Sequence, residues 1–208
     1  MTTIDKHVRH VQRSAGFSLP ELLAVLALVG GLWMMGNLTM LRSPENRTRV
    51  AAHELALAFR LARQRAISVN HAVYVDFAPQ PLVPADGVYT AFADLDDDHE
   101  EGPGERDASQ LLLDQVRSGR VVKALPRGVH FGAPGVAEGP GGTTVFADGM
   151  SFSGGQNKAG FFPRGNASAG TVYLCAGEDP PAVWAVRTNL PGTIETWSYS
   201  DGRWRRRS

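Results

Sequence analysis

The stretch Arg13–Met35, RSAGFSLPELLAVLALVGGLWMM, places one carboxylate, Glu21, near the start of a run that is otherwise apolar. No other side chain from Phe17 to Leu41 ionises. A helix of that length, rising about 1.5 Å per residue, can cross a hydrocarbon core of about 30 Å. An acid inside such a span costs about 2.5–3.5 kcal/mol on insertion scales, so Glu21 calls for a partner. A removable secretory signal is a poor reading, because WMMGNLTMLRSPENR after the run holds no small-residue cleavage pattern. A plain anchor leaves the acid uncompensated. Cleavage between Gly16 and Phe17 supplies the compensation: the new α-amino group lies about one helical turn from Glu21, and the two charges neutralise each other in low dielectric. In a fibre the amine can equally belong to a neighbouring subunit, and Glu21 then sets the register between chains.

The flanks agree with a span. Lys6, Arg9 and Arg13 precede it against Asp5 alone, which holds that end in the cytoplasm and sends everything after Leu41 across the inner membrane. Pro20 is tolerated in a first helical turn, where its missing N–H has no partner to lose. Ala24, Ala27, Gly30 and Gly31 let helices approach closely, although ordinary membrane-helix composition explains them as well.

The whole chain bounds the rest. At 208 residues, 43% of them hydrophobic, it holds one domain with a core besides the N-terminal segment, and its 23 Gly and 13 Pro describe a loop-rich body. Lys+Arg and Asp+Glu are 21 each, so any electrostatic function is local. The single cysteine, Cys175, excludes an internal disulfide framework and a cysteine-built zinc site.

SPENRTRVAAHELALAFRLARQRAISVN restarts a helix after the span, with Ser43 as N-cap and Pro44 at the first helical position. Ala51, Leu55, Ala58, Phe59, Ala62, Ala66 and Val69 form a stripe that packs on a sheet. Arg49, His53, Arg60 and Arg63 fall on another face, read as solvated in preference to a contact between subunits. From His71 on, short β-type runs follow: AVYVDF, GVYTAFAD, QLLLDQV, RVVKAL, TTVFAD, TVYLCAG, AVWAVRT and TIETWSY. Their spacing predicts an antiparallel sheet or small sandwich, hence an α+β fold, with mobile loops between Gly132 and Gly160.

The segment AGFSLPELLAVLALVGGL resembles the class III prepilin signal of type IV pilins and type II secretion pseudopilins, with a glycine before the cut, an aromatic after it and a glutamate one turn on. AFRLARQRAISVN, FFPRGNASAGTVYLC with its Phe-x-Pro-x-Gly turn, and the ending DGRWRRRS resemble the corresponding parts of the GspH/FimT family. Residues 79–160 carry little of the match. The resemblance implies a type IV pilin-like fold, a long N-terminal helix with a transmembrane first half packed by its second half on an antiparallel β-sheet or sandwich. It divides the chain into a leader (residues 1–16), a transmembrane helix (17–41), the periplasmic part of the helix (42–71) and a periplasmic β domain (72–208). It further implies cleavage after Gly16 by a prepilin peptidase, methylation of the Phe17 amine, and other pseudopilins as partners through the N-terminal helix. The expected role is that of a minor pseudopilin of a type II secretion system, anchored in the inner membrane and assembled into a periplasmic pseudopilus.

Two further clusters bear on binding. In DLDDDHEEGPGE, Asp94, Asp96, Asp98, Glu100 and Glu105 fall at offsets 1, 3, 5, 7 and 12, the oxygen-ligand spacing of a calcium loop. His99 stands at the sixth position, where that turn wants Gly, and the flanks read as strands; the competing reading is a solvated hairpin loop. The tail Arg203, Trp204, Arg205, Arg206 and Arg207 concentrates positive charge around an aromatic ring, a composition that suits phosphates and stacked bases. In the FimT branch the matching Gly-Arg-x-Arg motif is associated with DNA capture, which makes a DNA-binding minor pilin the alternative function; a basic terminal strand against neighbours or water is the plainer reading. No phosphate loop, paired metal histidines or nucleophile elbow points to an enzyme. His53, His71, His99 and His130 are scattered, and Cys175 reads as a small core residue.

Overall fold

The computed structural model describes residues 19–77, 87–102, 105, 115–117, 120–153, 157–177 and 181–207, with backbone alone at 32–42, 115–117 and 120–122. The chain forms two compact units, Met1–Leu41 and Arg42–Ser208.

In the first unit, α1 (Leu19–Arg42) carries Pro20 and Glu21 in its opening turn. A carboxylate there complements the positive end of the helix dipole. Leu19, Leu22, Leu23, Val25, Leu26, Leu28 and Val29 are all exposed, so the apolar surface runs round the helix instead of along one stripe. Among the described residues no helix is long and apolar enough to cross a membrane. The expected span begins at Phe17, outside the described residues, and takes in side chains from residue 32 on that are also outside them.

The second unit opens with α2 (Pro44–Val69), which ends where Asn70 turns left-handed at φ 58°. Pro44 starts it as expected, but the Ser43 hydroxyl makes no capping bond. Instead Thr48 Oγ1 donates to the Pro44 carbonyl at 2.8 Å. The expected stripe is buried from Ala51 to Ala66, with Thr48, Ala52 and Ala56 alongside it, and Val69 is half-buried. A face built mostly of alanine lets the helix lie close to its neighbours, and α2 packs against strands of two sheets. On the face expected to be solvated, Arg49 and Arg60 are exposed, but Arg63 Nε donates to the Gly165 carbonyl at 2.7 Å. That bond pins the Phe-x-Pro-x-Gly turn to the helix.

Eleven strands follow among the described residues: β1 (Ala72–Asp76), β2 (Val88–Asp94), β3 (Gln115–Arg117), β4 (Arg120–Ala124), β5 (Val129–Phe131), β6 (Met150–Phe152), β7 (Lys158–Phe161), β8 (Gly170–Ala176), β9 (Ala182–Thr188), β10 (Ile194–Ser200) and β11 (Arg203–Arg206). The first sheet has the order β3-β4-β2-β1-β7; the second runs β11-β10-β9-β8-β5, with β6 also on β8. Every pairing is antiparallel. Val73, Val75 and Phe77 meet Phe59 of α2, Tyr89 and Ala91 of β2, Phe161 of β7 and Val172, Leu174 and Trp184 of the second sheet in one core. Phe77 sits at its centre, stacked on Phe152 at 5.9 Å and edge-on to Phe131 at 5.5 Å.

Both sheets are covered on their outer faces too. Over the second sheet, the segment 132–149 lays Ala133 and Val136 on Tyr173, Val183 and Ala185. Its ends are tied to β8, since Gly132 N donates to the Tyr173 carbonyl at 2.9 Å and Tyr173 N to the Gly149 carbonyl at 2.8 Å. The expected strand TTVFAD does not form; Thr144 makes only an isolated bridge to Glu138. The edge of β8 away from β9 is already taken by β5 and β6, so a strand there has nothing to pair with. β6 and the start of β7, by contrast, supply regular structure inside the stretch expected to be loop.

Candidate functional site

Of the N-terminal residues, Glu21 is exposed in the first turn of α1. Gly16 and Phe17 lie outside the described residues.

The arginine tail is an edge strand. Asp201 and Gly202, at φ 53° and 71°, form the two-residue turn into β11, where left-handed φ at both positions favours Asp-Gly. Alternation along β11 then splits the tail. The Trp204 ring lies 5.1 Å from Tyr199 and 5.9 Å from Tyr173, and its Nε1 donates to the Glu138 carbonyl at 2.7 Å. The indole expected to stack on a base is therefore a half-buried clasp between β11 and the 132–149 segment. Arg205 pairs with Asp201 at 3.1 Å, Arg206 with Glu195 at 3.3 Å, and Arg207 Nε donates to Ser198 Oγ at 2.8 Å. Arg203 and Arg205 are exposed. The Arg205–Asp201 pair is solvent-facing and contributes little to stability, and the arginines together give a charged edge that discourages further strand addition. Trp204→Ala is expected to cost about 2 kcal/mol, less than a fully buried Trp, and to free the 132–149 segment. Urea denaturation with amide exchange of residues 132–149 checks it; unchanged exchange there counts against the clasp.

The acidic loop closes over the outer face of the first sheet. Register places Tyr74 opposite Phe92, and Ala72 opposite Asp94, the last residue of β2. The chain then folds back so that His99 stands edge-on to the Tyr74 ring at 5.5 Å. Lys158, brought alongside by β7, donates to the His99 carbonyl at 2.8 Å and lies over the Phe92 ring at 5.6 Å. Neither Tyr74 nor Lys158 was readable as part of this site from the sequence, because only the β1–β7 register delivers them. Burial, with the Asp94 and Asp97 charges nearby, pushes the Tyr74 hydroxyl up to about 12.

Of the five expected ligands, Asp94, Asp96 and Asp98 come together, each offering an oxygen within 4.8 Å of the others. Glu105 does not join them. It is 3% exposed and accepts from Leu95 N at 2.5 Å and Gly102 N at 2.6 Å, latching the two ends of the loop. Glu100 is exposed and outside the cluster; its N–H donates to Asp98 Oδ1 at 2.6 Å. His99 adopts φ 64°, the left-handed turn for which that position favours Gly. Burial raises the Asp94 carboxyl above its ordinary range, opposed by the His99 N–H and the imidazole. Cys175 is half-buried, and burial pushes its thiol up, away from a reactive thiolate.

No curated protein matches the chain. Two solved structures of the minor pseudopilin EpsH from the type II secretion system of Vibrio cholerae are similar to it. One has 12% identity and a TM-score of 0.45, covering 73% of this chain and 97% of that one. The other has 14% identity and a TM-score of 0.44, covering 74% and 95%. A family model described as type II transport protein GspH matches residues 51–192, from the buried stripe of α2 to the turn before β10. That range is well over half of the 208 residues and takes in the core shared by helix and sheets, so the chain belongs to the GspH family of type II transport proteins.

Proposed function

We propose that this GspH-family protein works as a minor pseudopilin, anchored in the inner membrane by Phe17–Leu41 and displaying Arg42–Ser208 in the periplasm as part of a type II secretion pseudopilus. The observation that carries the reading is the family match over residues 51–192 joined to a leader-like segment that lies outside it. A prepilin peptidase cuts after Gly16 and the Phe17 amine is methylated. That amine, or a neighbouring subunit's, neutralises Glu21 in lipid, where an isolated carboxylate is costly. The apolar surface right round the described part of α1 supports burial against lipid or other helices instead of water. The work is mechanical: the helix inserts and assembles, and the body is presented. The alternative, DNA capture by the tail, would rest on the exposed Arg203, Arg205, Arg206 and Arg207, with Trp204 held in the fold.

Mass spectrometry of the chain from membranes tests this. The expected N-terminus is a methylated Phe17, and Glu21→Val is expected to leave the protein in the membrane but remove it from sheared pseudopili. A mature chain starting elsewhere, or undiminished incorporation of the variant, sinks the proposal.

A further inference from the structure

We propose that the loop after β2 binds a calcium ion through the carboxylates of Asp94, Asp96 and Asp98. Three acids within reach of one another are common on surfaces without any ion; what sets this cluster apart is Asp94. It is 1% exposed, and its Oδ1 is buried with no hydrogen-bond partner among the described residues. The carboxylate is otherwise met by backbone alone, with His99 N on Oδ2 at 3.3 Å and the Asp97 N–H as a second donor. Native proteins rarely leave a buried carboxylate oxygen without a donor, because desolvation goes uncompensated.

Glu105 is the comparison within the same loop. Equally buried, it has each oxygen met by a backbone N–H. A purely structural acid is satisfied in that way, and Asp94 is not. Among the described residues the neighbouring cation does not fill the gap, because Lys158 places its ammonium on the His99 carbonyl. Asp96 and Asp98 are exposed, so the cluster has a buried floor and an open mouth through which an ion enters.

The donor set selects the ion. All three ligands are carboxylate oxygens, and the nearby imidazole is turned onto Tyr74, so softer metals find no nitrogen or sulfur. Calcium accepts six to eight oxygens in flexible geometry and completes its shell with carbonyls and water. Magnesium demands a tighter octahedron than an open three-carboxylate loop offers. Binding ties the end of β2 to the loop that covers the first sheet.

Calorimetry on the full chain in detergent, stripped with chelator and titrated with calcium chloride, tests the site. Expected are a saturable one-site heat, no comparable heat with magnesium, retention in Glu100→Gln, and affinity lowered about tenfold or more in both Asp96→Asn and Asp98→Asn. Asp94→Asn is expected to lose binding altogether; should it fail to fold, the two exposed variants decide. Absence of saturable heat up to about 10 mM calcium, beyond the weakest range of known calcium modules, overturns the proposal, as does affinity unchanged in Asp96→Asn and Asp98→Asn.

Discussion

Phe59→Ala is expected to destabilise the body by about 4 kcal/mol, the largest effect of any single truncation considered for this chain. Its side chain is fully buried, 5.3 Å from the Phe161 ring and 6.1 Å from Phe77, and so joins α2 to β7 and to the residue just past β1. The cost has two parts, lost transfer free energy and the void left behind. Here the void cannot close easily. The neighbours on the buried face of α2 are Leu55 and alanines, with no long side chain to swing into the gap, and the helix is held between two sheets. Leu in place of Phe keeps most of the volume and is expected to cost less than half as much. Urea denaturation gives both values, provided the slope is unchanged. A loss under about 1 kcal/mol for the alanine variant would mean that the helix repacks and that the core is not organised around this ring.

Gly149→Ala is expected to cost about 3 kcal/mol or more, although it adds only a methyl group. Gly149 has φ 74°, where an L side chain pays about 1–2 kcal/mol. The added carbon would also run into the backbone nitrogen and Cα of Gly132 and press on the carbonyl carbon of Phe131. Backbone atoms cannot rotate away as a side chain can. Both segments are hydrogen-bonded to Tyr173, so relief requires breaking the attachment of the 132–149 segment to β8. Gly142→Ala is the control: φ is 76° but the space around it is open, so only the conformational penalty of about 1–2 kcal/mol is expected. Thermal unfolding separates the two, since 1 kcal/mol moves the midpoint by roughly 2–4 °C in a body of this size. Equal shifts for both variants would show that the close approach of Gly149 to Gly132 is not what matters.

Both predictions depend on contacts between residues far apart in the chain, and this is where sequence reading and structure part. The α2 stripe was legible because its 3.6-residue period is written locally, and β1, β2, β4, β8, β9 and β10 were legible as runs of β-branched and aromatic residues long enough to stand out. β5, β6 and β7 are three or four residues each, and pairing with a neighbour makes them strands, not composition. TTVFAD had the composition and found no edge. The candidate sites divide in the same way. The spacing of Asp94, Asp96 and Asp98 predicted that they could converge, but Glu105 and Trp204 carried chemistry in the sequence that their surroundings spent on holding the fold.

By itself the sequence determined the apolar run with its lone acid, the amphipathic α2, the long strands and the resemblance to the family that the match over residues 51–192 shows, because each is written in residues close together along the chain. Tertiary structure alone decided which segments filled the second edge of β8, which face of β11 Trp204 would occupy, and that Asp94 rather than Glu105 would be buried with an oxygen unmet. The reason is physical: whether a polar group is satisfied or a strand is paired depends on donors and edges brought by distant segments, and no local pattern records which segments arrive.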